Sequence, residues 1–391
     1  MLSVEEAIAA ILEDVAPLGA ERAALGDLVG RVTAEDVIAL MTQPPFAASA
    51  MDGYAVRFSD MKVGAVLTVI GEAPAGAPFG GNINAGEAVR IFTGGAVPAG
   101  ADHVIIQEDV EREGAQITIN EDQPKPRNIR AAGIDFREGD LLAEKAAPLH
   151  EIHGALFAAA NIASVSVHRR PKVAVFSNGD ELKEPGSTLK PGEIINSNHY
   201  ALCAMTRNWG AEAVYLGCAA DSEDDIRSYF KRGADADIII PVGGASVGDY
   251  DYVKSAFAKE GGEVRFSKVA VRPGKPTWCG RVGDASVIGL PGNPASAIVT
   301  AALFVQPLVR RLAGEIWSAP FLKARLTAPL SANGGREAYL RAQEQDGAIA
   351  PVANQDSSLL LPFGAANALL RRKINAPALK PGDEVEFVRL R

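Results

Sequence analysis

The feature that most constrains this chain is an alternation between about residues 169 and 314. Four short apolar runs, KVAVFS (172–177), AVYLG (213–217), DIIIPV (237–242) and SVIGL (286–290), are separated by stretches of helical spacing. SNHYALCAMTRNWG (197–210) ends on Gly210. DSEDDIRSYFKRG (221–233) opens on Asp221 or Ser222 as N-cap, carries acids in its first turn and ends on Gly233. YVKSAFAKEG (252–261) follows, and PASAIVTAALFVQPLVRRL (294–312) is a long, mostly apolar helix with Pro294 near its start. Strands alternating with helices predict a three-layer α/β domain around a mainly parallel sheet.

On either side of this segment the periodicity changes. From 47 to 130 short β-type runs are broken by Gly and Pro, among them AVLTVIG (65–71), EAVRIFTGG (87–95), DHVIIQEDV (102–110) and AQITIN (115–120). They predict a small β-rich domain. After about 320 the chain is β-rich again and reads as a C-terminal β-barrel-like domain, 319–391. Residues 20–38 with 131–168 fit neither neighbour and are read as a connecting domain. Residues 1–19, 39–46 and 169–318 are assigned to the α/β domain. Residues 1–15 form an acidic helix in which Ser3 and Glu6 make a capping box and Val4, Ile8, Ile11, Leu12 and Val15 share one face. A length of 391 residues fits this division into several domains.

The net charge of −9 argues against nucleic acid or an anionic membrane as the main partner. The acidic N-terminus does not resemble a signal peptide, and no run of about 20 apolar residues stands out, so a cytoplasmic protein without a membrane span is expected. Cys203, Cys218 and Cys279 have no metal-ligand spacing and read as small buried hydrophobes. The five histidines show no metal motif either, and His150 and His153 read as an unliganded surface pair.

Ligands of open α/β sheets bind outside the carboxyl ends of the strands. Four such ends here carry polar or glycine-rich runs: NGDEL (178–182), CAADSEDD (218–225), GGASVGDYD (243–251) and PGNPASA (291–297). One run alone would pass as a turn; four on one sheet edge predict a site. Gly243 and Gly244 let backbone N–H groups approach an anion, Ser246 adds a hydroxyl, and the following helix N-terminus adds partial positive charge. The loop lacks the Gly-Lys-Ser/Thr of a Walker A sequence and is not GxGxxG. In RPGKP (272–276), Arg272 can clamp an oxyanion and Lys275 can add a point charge. Glu181, Asp221, Asp249 and Asp251 fall at the same strand ends, and clustered acids of this kind suit Mg²⁺; an N-cap role for Asp221 is an equal alternative.

In order along the chain, AASAMDGYAVR, IFTGGAVPAGADHVI, NIRAAGIDFREGD, SNGDEL, GGASVGDYD, RPGKP and GLPGNPASA resemble the MoeA family, which is similar to the E domain of gephyrin and of its plant counterpart. The resemblance covers nearly the whole chain. It implies a molybdenum insertase that takes adenylylated molybdopterin and molybdate, inserts molybdenum into the dithiolene and releases AMP, with Mg²⁺ as the divalent cation. It also implies a four-domain homodimer with its cleft between subunits, and as further partners a molybdopterin adenylyltransferase and molybdoenzyme chaperones. Matched motif by motif, the resemblance implies catalytic roles for Asp52, Thr93, Asp135, Glu181, Asp221 and Lys275. It implies metal-binding roles for Glu181, Asp221 and Asp251. Substrate contacts are expected from Gly243, Gly244, Ser246, Arg272, Asn293, Arg341 and Ser357. The sequence departs from the family pattern at Pro241 and Val242, where hydroxyl residues are common, at Arg272 in place of lysine, and at Asp356 in place of glycine. The added carboxylate of Asp356 is expected to weaken anion binding near Ser357. Two other readings stay open: the adenylyltransferase step, which the α/β domain alone would serve, and a non-catalytic gephyrin-like scaffold.

Overall fold

The computed structural model describes residues 1–244, 252–316 and 321–390. At its centre is a six-stranded sheet in the order Glu212–Ala219, Lys172–Asn178, Ile238–Val242, Ala285–Gly289, Trp278–Val282 and Glu263–Phe266. The first four strands are parallel; Trp278–Val282 pairs antiparallel with the fourth, and Glu263–Phe266 pairs antiparallel with Trp278–Val282 at the edge. The alternation of helices and strands foretold the parallel part. The antiparallel pair was missed, because a hairpin inserted between two crossover units leaves no helix to announce it.

Side chains alternate across the strands, so each strand feeds two cores. Val173, Val175, Ile238 and Ile240 face the N-terminal helix Val4–Leu12 and the helical run 294–312. Phe176, Ile239 and Val287 face the other way, onto Ile226, Phe230, Phe257 and Trp278. Burial on both sides explains why the central strands read as continuous apolar runs rather than as alternating ones. The run 294–312 is long and apolar enough to cross a membrane by composition, but 83% of its apolar window is buried inside the protein. Its hydropathy reflects a core helix packed on the sheet. One turn, Ala301–Val305, has π-helical hydrogen bonding.

Residues 53–119 form a second six-stranded sheet, in the order His103–Ile106, Gly53–Val56, Glu87–Ile91, Val66–Ala73, Gln116–Ile119 and Val110–Glu113. Between this sheet and the α/β layers, Ala20–Ala24 pairs with Ser164–His168 and Val37–Ile38 with Leu141–Ala143. These ribbons pack with the helix Glu151–Ala159 around Leu28, Phe136, Phe157 and Val165.

Toward the C-terminus a five-stranded barrel closes. Glu337–Gln345 pairs with Ala348–Pro351, which pairs with Leu322–Leu326, then Glu384–Arg389, then Ala368–Arg372, and this last strand returns to Glu337–Gln345. Closure leaves none of these five strands at a free sheet edge. A two-residue strand, Val271–Arg272, pairs in parallel with Glu337 and Ala338. It brings the RPGKP turn onto the barrel, so the α/β layers and the barrel share one surface.

Candidate active site

The carboxyl edge of the central sheet opens into a cavity of about 590 Å³. Asn178, at the end of its strand, is 8% exposed and is the packing centre of this edge. Gly243 (φ 104°) and Gly244 (φ 61°) both have positive φ, and a Cβ on Gly243 would come within 2.9 Å of the Asn178 carbonyl oxygen. A Cβ on Gly244 would come within 2.5 Å of Val253 Cγ2. The two glycines are required by these close approaches as well as by the conformation. The Glu181 carboxylate folds back over Gly179 (φ 142°), leaving a Cβ there only 2.5 Å from Oε2. Glu181, Gly243, Gly244 and Asn293 all line the cavity.

Asp221 sits beside them without lining the cavity. Its backbone N–H donates to Asp180 Oδ1 (3.2 Å), and its carboxylate accepts from the Asp180 N–H (3.4 Å) and from Asn178 Nδ2 (3.4 Å). The next helix, Glu223–Arg232, is capped by Ser222, whose hydroxyl accepts from the Asp225 N–H. This excludes the capping role for Asp221 and leaves its carboxylate turned toward the loop that carries Glu181. The acid field is felt by Cys218. Burial first, and then Glu181, Glu184 and Asp221, push its thiol up to about 11, so it is neutral and no nucleophile.

A second cavity of about 460 Å³ adjoins the first, and Pro276 lines both. Arg272 and Lys275 are exposed and line it, together with Arg336, Tyr339 and Ser357. Among the described residues neither the Arg272 nor the Lys275 side chain has an ion-pair or hydrogen-bond partner. The turn holding them is pinned from within: the Val269 N–H donates to the Lys275 carbonyl (3.1 Å), and the Thr277 hydroxyl donates to the Gly274 carbonyl (2.8 Å). Asn293 ties the two cavities together, since its Nδ2 donates to Ser357 Oγ (3.1 Å) while the Ala295 N–H donates to the Ser357 carbonyl (3.0 Å). Asn293 is also the N-cap residue of Pro294–Thr300, so the start of the long core helix faces this junction.

Several expected site residues stand elsewhere. Arg341 is 2% exposed and lines neither cavity. Its guanidinium donates to the carbonyls of Leu359 (2.8 Å), Asp356 (2.9 Å) and Asn354 (3.2 Å) and to Gln355 Oε1. It shapes the 354–359 loop that presents Ser357. Asp356, expected to oppose anions, lines neither cavity, and its carboxylate accepts from the Ser358 hydroxyl (2.6 Å) and N–H (2.8 Å). Ser246 and Asp251 lie outside the described residues. Among the described residues no group of three or more His, Cys, Asp or Glu side chains is placed to hold a metal ion.

Asp52, Thr93 and Asp135 line neither cavity of their own chain. Asp52 accepts from the Thr93 N–H (2.7 Å) and hydroxyl (2.8 Å), and these two bonds, the backbone one foremost, hold its carboxyl below the usual range. The contribution is present above the ordinary aspartate pKa and is lost as pH falls through the lowered value. A Thr93→Val variant keeps only the backbone donor, so the Asp52 pKa is expected to rise part of the way back, measured by NMR titration of the carboxyl carbon.

Arg336 and Asn196 belong to the two cavities, yet no sequence signal singled them out. Arg336 follows a glycine pair, and only the pairing of Val271–Arg272 with the barrel brings it beside Arg272. Asn196 is 3% exposed, accepts from the Ser177 hydroxyl and donates to the Tyr215 hydroxyl, which fixes the wall of the larger cavity. The polar run NSN (196–198) was its one trace in the sequence.

A mainly parallel α/β sheet whose carboxyl edge opens into an acid-flanked cavity adjoining a cation-lined one has the arrangement of a ligand-binding α/β enzyme. The chain belongs to the MoeA family. Residues 2–161 match the MoeA N-terminal region (domain I and II), 174–311 match a probable molybdopterin binding domain, and 323–390 match the MoeA C-terminal region (domain IV). A molybdopterin molybdenumtransferase from Haemophilus influenzae is 40% identical over 325 residues, covering 82% of this chain and 80% of that protein. One from a Nostoc species is 38% identical over 323 residues, covering 80% and 74%. The crystal structure of a molybdopterin biosynthesis MoeA protein from Pyrococcus horikoshii superposes over 100% of this chain and 99% of its own, with a TM-score of 0.84 at 31% identity.

Proposed function

We propose that this protein is a molybdopterin molybdenumtransferase that inserts molybdenum from molybdate into the dithiolene of adenylylated molybdopterin and releases AMP. The observation that carries the reading is the junction of the two cavities at Pro276 and at the Asn293–Ser357 hydrogen bond. A two-part substrate needs such a pair of compartments, one for a phosphorylated organic group and one for a small oxyanion. Gly243 and Gly244 cradle the phosphate side. Arg272, Lys275 and Arg336 attract the oxyanion and stabilise negative charge that develops as AMP leaves. The test is AMP release by the purified protein from adenylylated molybdopterin, which should require molybdate. ATP consumption with molybdopterin in the absence of molybdate would favour the adenylyltransferase reading instead.

Glu181 and Asp221 offer carboxylate oxygens, and the family resemblance adds Asp251, which lies outside the described residues. That chemistry fits Mg²⁺, which is commonly held by one or two carboxylates and completed by substrate phosphate and water. Bound there, the cation would neutralise phosphate charge. Glu181, folded over Gly179, and Asp221, held by the Asp180 N–H and Asn178, keep their carboxylates at the phosphate side.

Asp52, Thr93 and Asp135 are proposed to reach the cleft from the partner of a homodimer working in the cytoplasm. What supports this is their absence from both cavities of their own chain. Coexpressed Asp52→Ala and Lys275→Ala chains, each inactive alone, should then recover activity, because the mixed dimer contains one intact cleft. Failure of the mixture to recover any AMP release would assign all these residues to one chain.

A further inference from the structure

The oxyanion cavity is assembled from segments far apart in sequence, and outside it a largely buried charge network ties one of them, the barrel strand that carries Glu337 and Tyr339, to the N-terminal helix. The RPGKP turn supplies Arg272 and Lys275, and the strand Glu337–Gln345 supplies Tyr339, with Arg336 just before it. Backbone bonds stitch the two together: the Glu337 N–H donates to the Ala270 carbonyl (2.8 Å), and the Ala270 N–H donates to the Leu2 carbonyl (2.8 Å) at the start of the N-terminal helix. The side chains tie the same barrel strand to the same N-terminal helix. Glu337, 4% exposed, accepts at Oε1 from Arg371 Nε (2.7 Å) and from the Tyr339 hydroxyl (2.6 Å). Arg371 also pairs with Glu386 of the barrel (3.3 Å) and with Glu5 of the N-terminal helix, and its guanidinium lies 4.1 Å from the Phe321 ring centre. Tyr339 is 1% exposed, and burial together with Glu337 raises its pKa above the ordinary phenol range, so its hydroxyl is a neutral donor to Glu337.

We propose that Glu337, Arg371 and Glu5 are positioning residues for oxyanion binding: they fix the register of the barrel strand against the RPGKP turn and so hold Arg336 and Tyr339 at a set distance from Arg272 and Lys275. None of the three lines either cavity. The parallel pairing of Val271 with Glu337 and of Arg272 with Ala338 means that a slip of the barrel strand moves one wall of the cavity directly against the other. Displacements of about 1 Å matter in sites built on directed charge. The proposal rests on the function proposed above for the choice of molybdate as the oxyanion that the cavity binds.

The test uses the full-length protein with the variants Glu337→Gln, Arg371→Lys and Glu5→Gln. Two readouts are taken for each: KM for molybdate against KM for adenylylated molybdopterin, and the direct binding isotherm of molybdate alone. Glu337→Gln and Arg371→Lys are expected to raise KM and Kd for molybdate about tenfold or more while changing KM for the organic substrate less than twofold. Glu5→Gln removes a half-exposed partner and leaves Glu337 and Glu386 on Arg371; it is expected to fold normally and to shift molybdate KM and Kd in the same direction by a smaller factor. Unchanged molybdate binding in folded variants would overturn the proposal. An equal rise in both KM values would overturn it too, since general loosening of the fold produces that result. If Glu337→Gln and Arg371→Lys do not fold, the Glu5→Gln isotherm decides. A wild-type protein that binds molybdate but never releases AMP would refute the functional reading and leave the binding comparison able to judge the network, whereas no molybdate binding by the wild type would refute the network's role.

Discussion

Lys275→Ala is expected to lower molybdate-dependent AMP release by about 10²–10³-fold, the usual cost of removing one directed charge from a site where negative charge develops. Lys275 is exposed at the tip of a turn pinned by its own backbone, and its ammonium has no partner among the described residues. Its removal therefore breaks no ion pair among the described residues, and the melting temperature should stay near that of the wild type, as for surface changes away from structural features. Steady-state kinetics and a thermal melt check both halves. Lys275→Arg keeps the charge but spreads it over a planar fork, and it should recover only part of the rate. A Lys275→Ala protein with full activity would sink the assignment of the smaller cavity to the oxyanion.

Asp221→Ala is expected to cost about 100-fold or more in the same reaction, at the upper end of what groups supporting a metal site contribute. The helix after it keeps its own cap at Ser222, so secondary structure should survive the change. Asp221→Asn separates two explanations. The amide keeps the size and an oxygen acceptor for the Asp180 N–H, and it loses the charge. If Asp221 acts through its charge as a metal donor, Asn is nearly as damaging as Ala, and raising Mg²⁺ should recover part of the loss by mass action. If Asp221 only braces the Asp180 loop, Asn is close to wild type. The measurement is the AMP release rate of both variants across a Mg²⁺ titration.

Much of the fold was legible because it is written in local periodicity. Apolar runs of strand length between segments of helical spacing fix a parallel sheet, and the residues at strand ends are then fixed as neighbours. Glu181, Gly243, Gly244 and Asn293 come together for that reason, although they span more than a hundred residues of sequence. The cation side was partly legible: RPGKP names its own two charges, while Arg336 depends on a two-residue strand that no periodicity can announce. Arg341 shows the converse: an arginine at a family position reads as a ligand contact, and only the structure shows that its guanidinium donates to three carbonyls of one loop. At Asp356 the sequence shows a charge, and only the structure shows that its carboxylate accepts from Ser358, which holds it below the usual range and so keeps it charged.

The sequence by itself determined the α/β alternation, the β-rich flanks and the ordered motifs of the MoeA family, because each is a property of residues close together in the chain. Only the tertiary structure decided that the C-terminal strands close into a barrel, that this barrel docks on the turn carrying Arg272 and Lys275, and that the phosphate and oxyanion compartments meet at Pro276 and Ser357. The physical reason is that these are long-range pairings. Hydrogen bonds such as Glu337 to Ala270 and Ala295 to Ser357 each join residues more than sixty positions apart. Their partners are chosen by how finished layers pack, which no local pattern records.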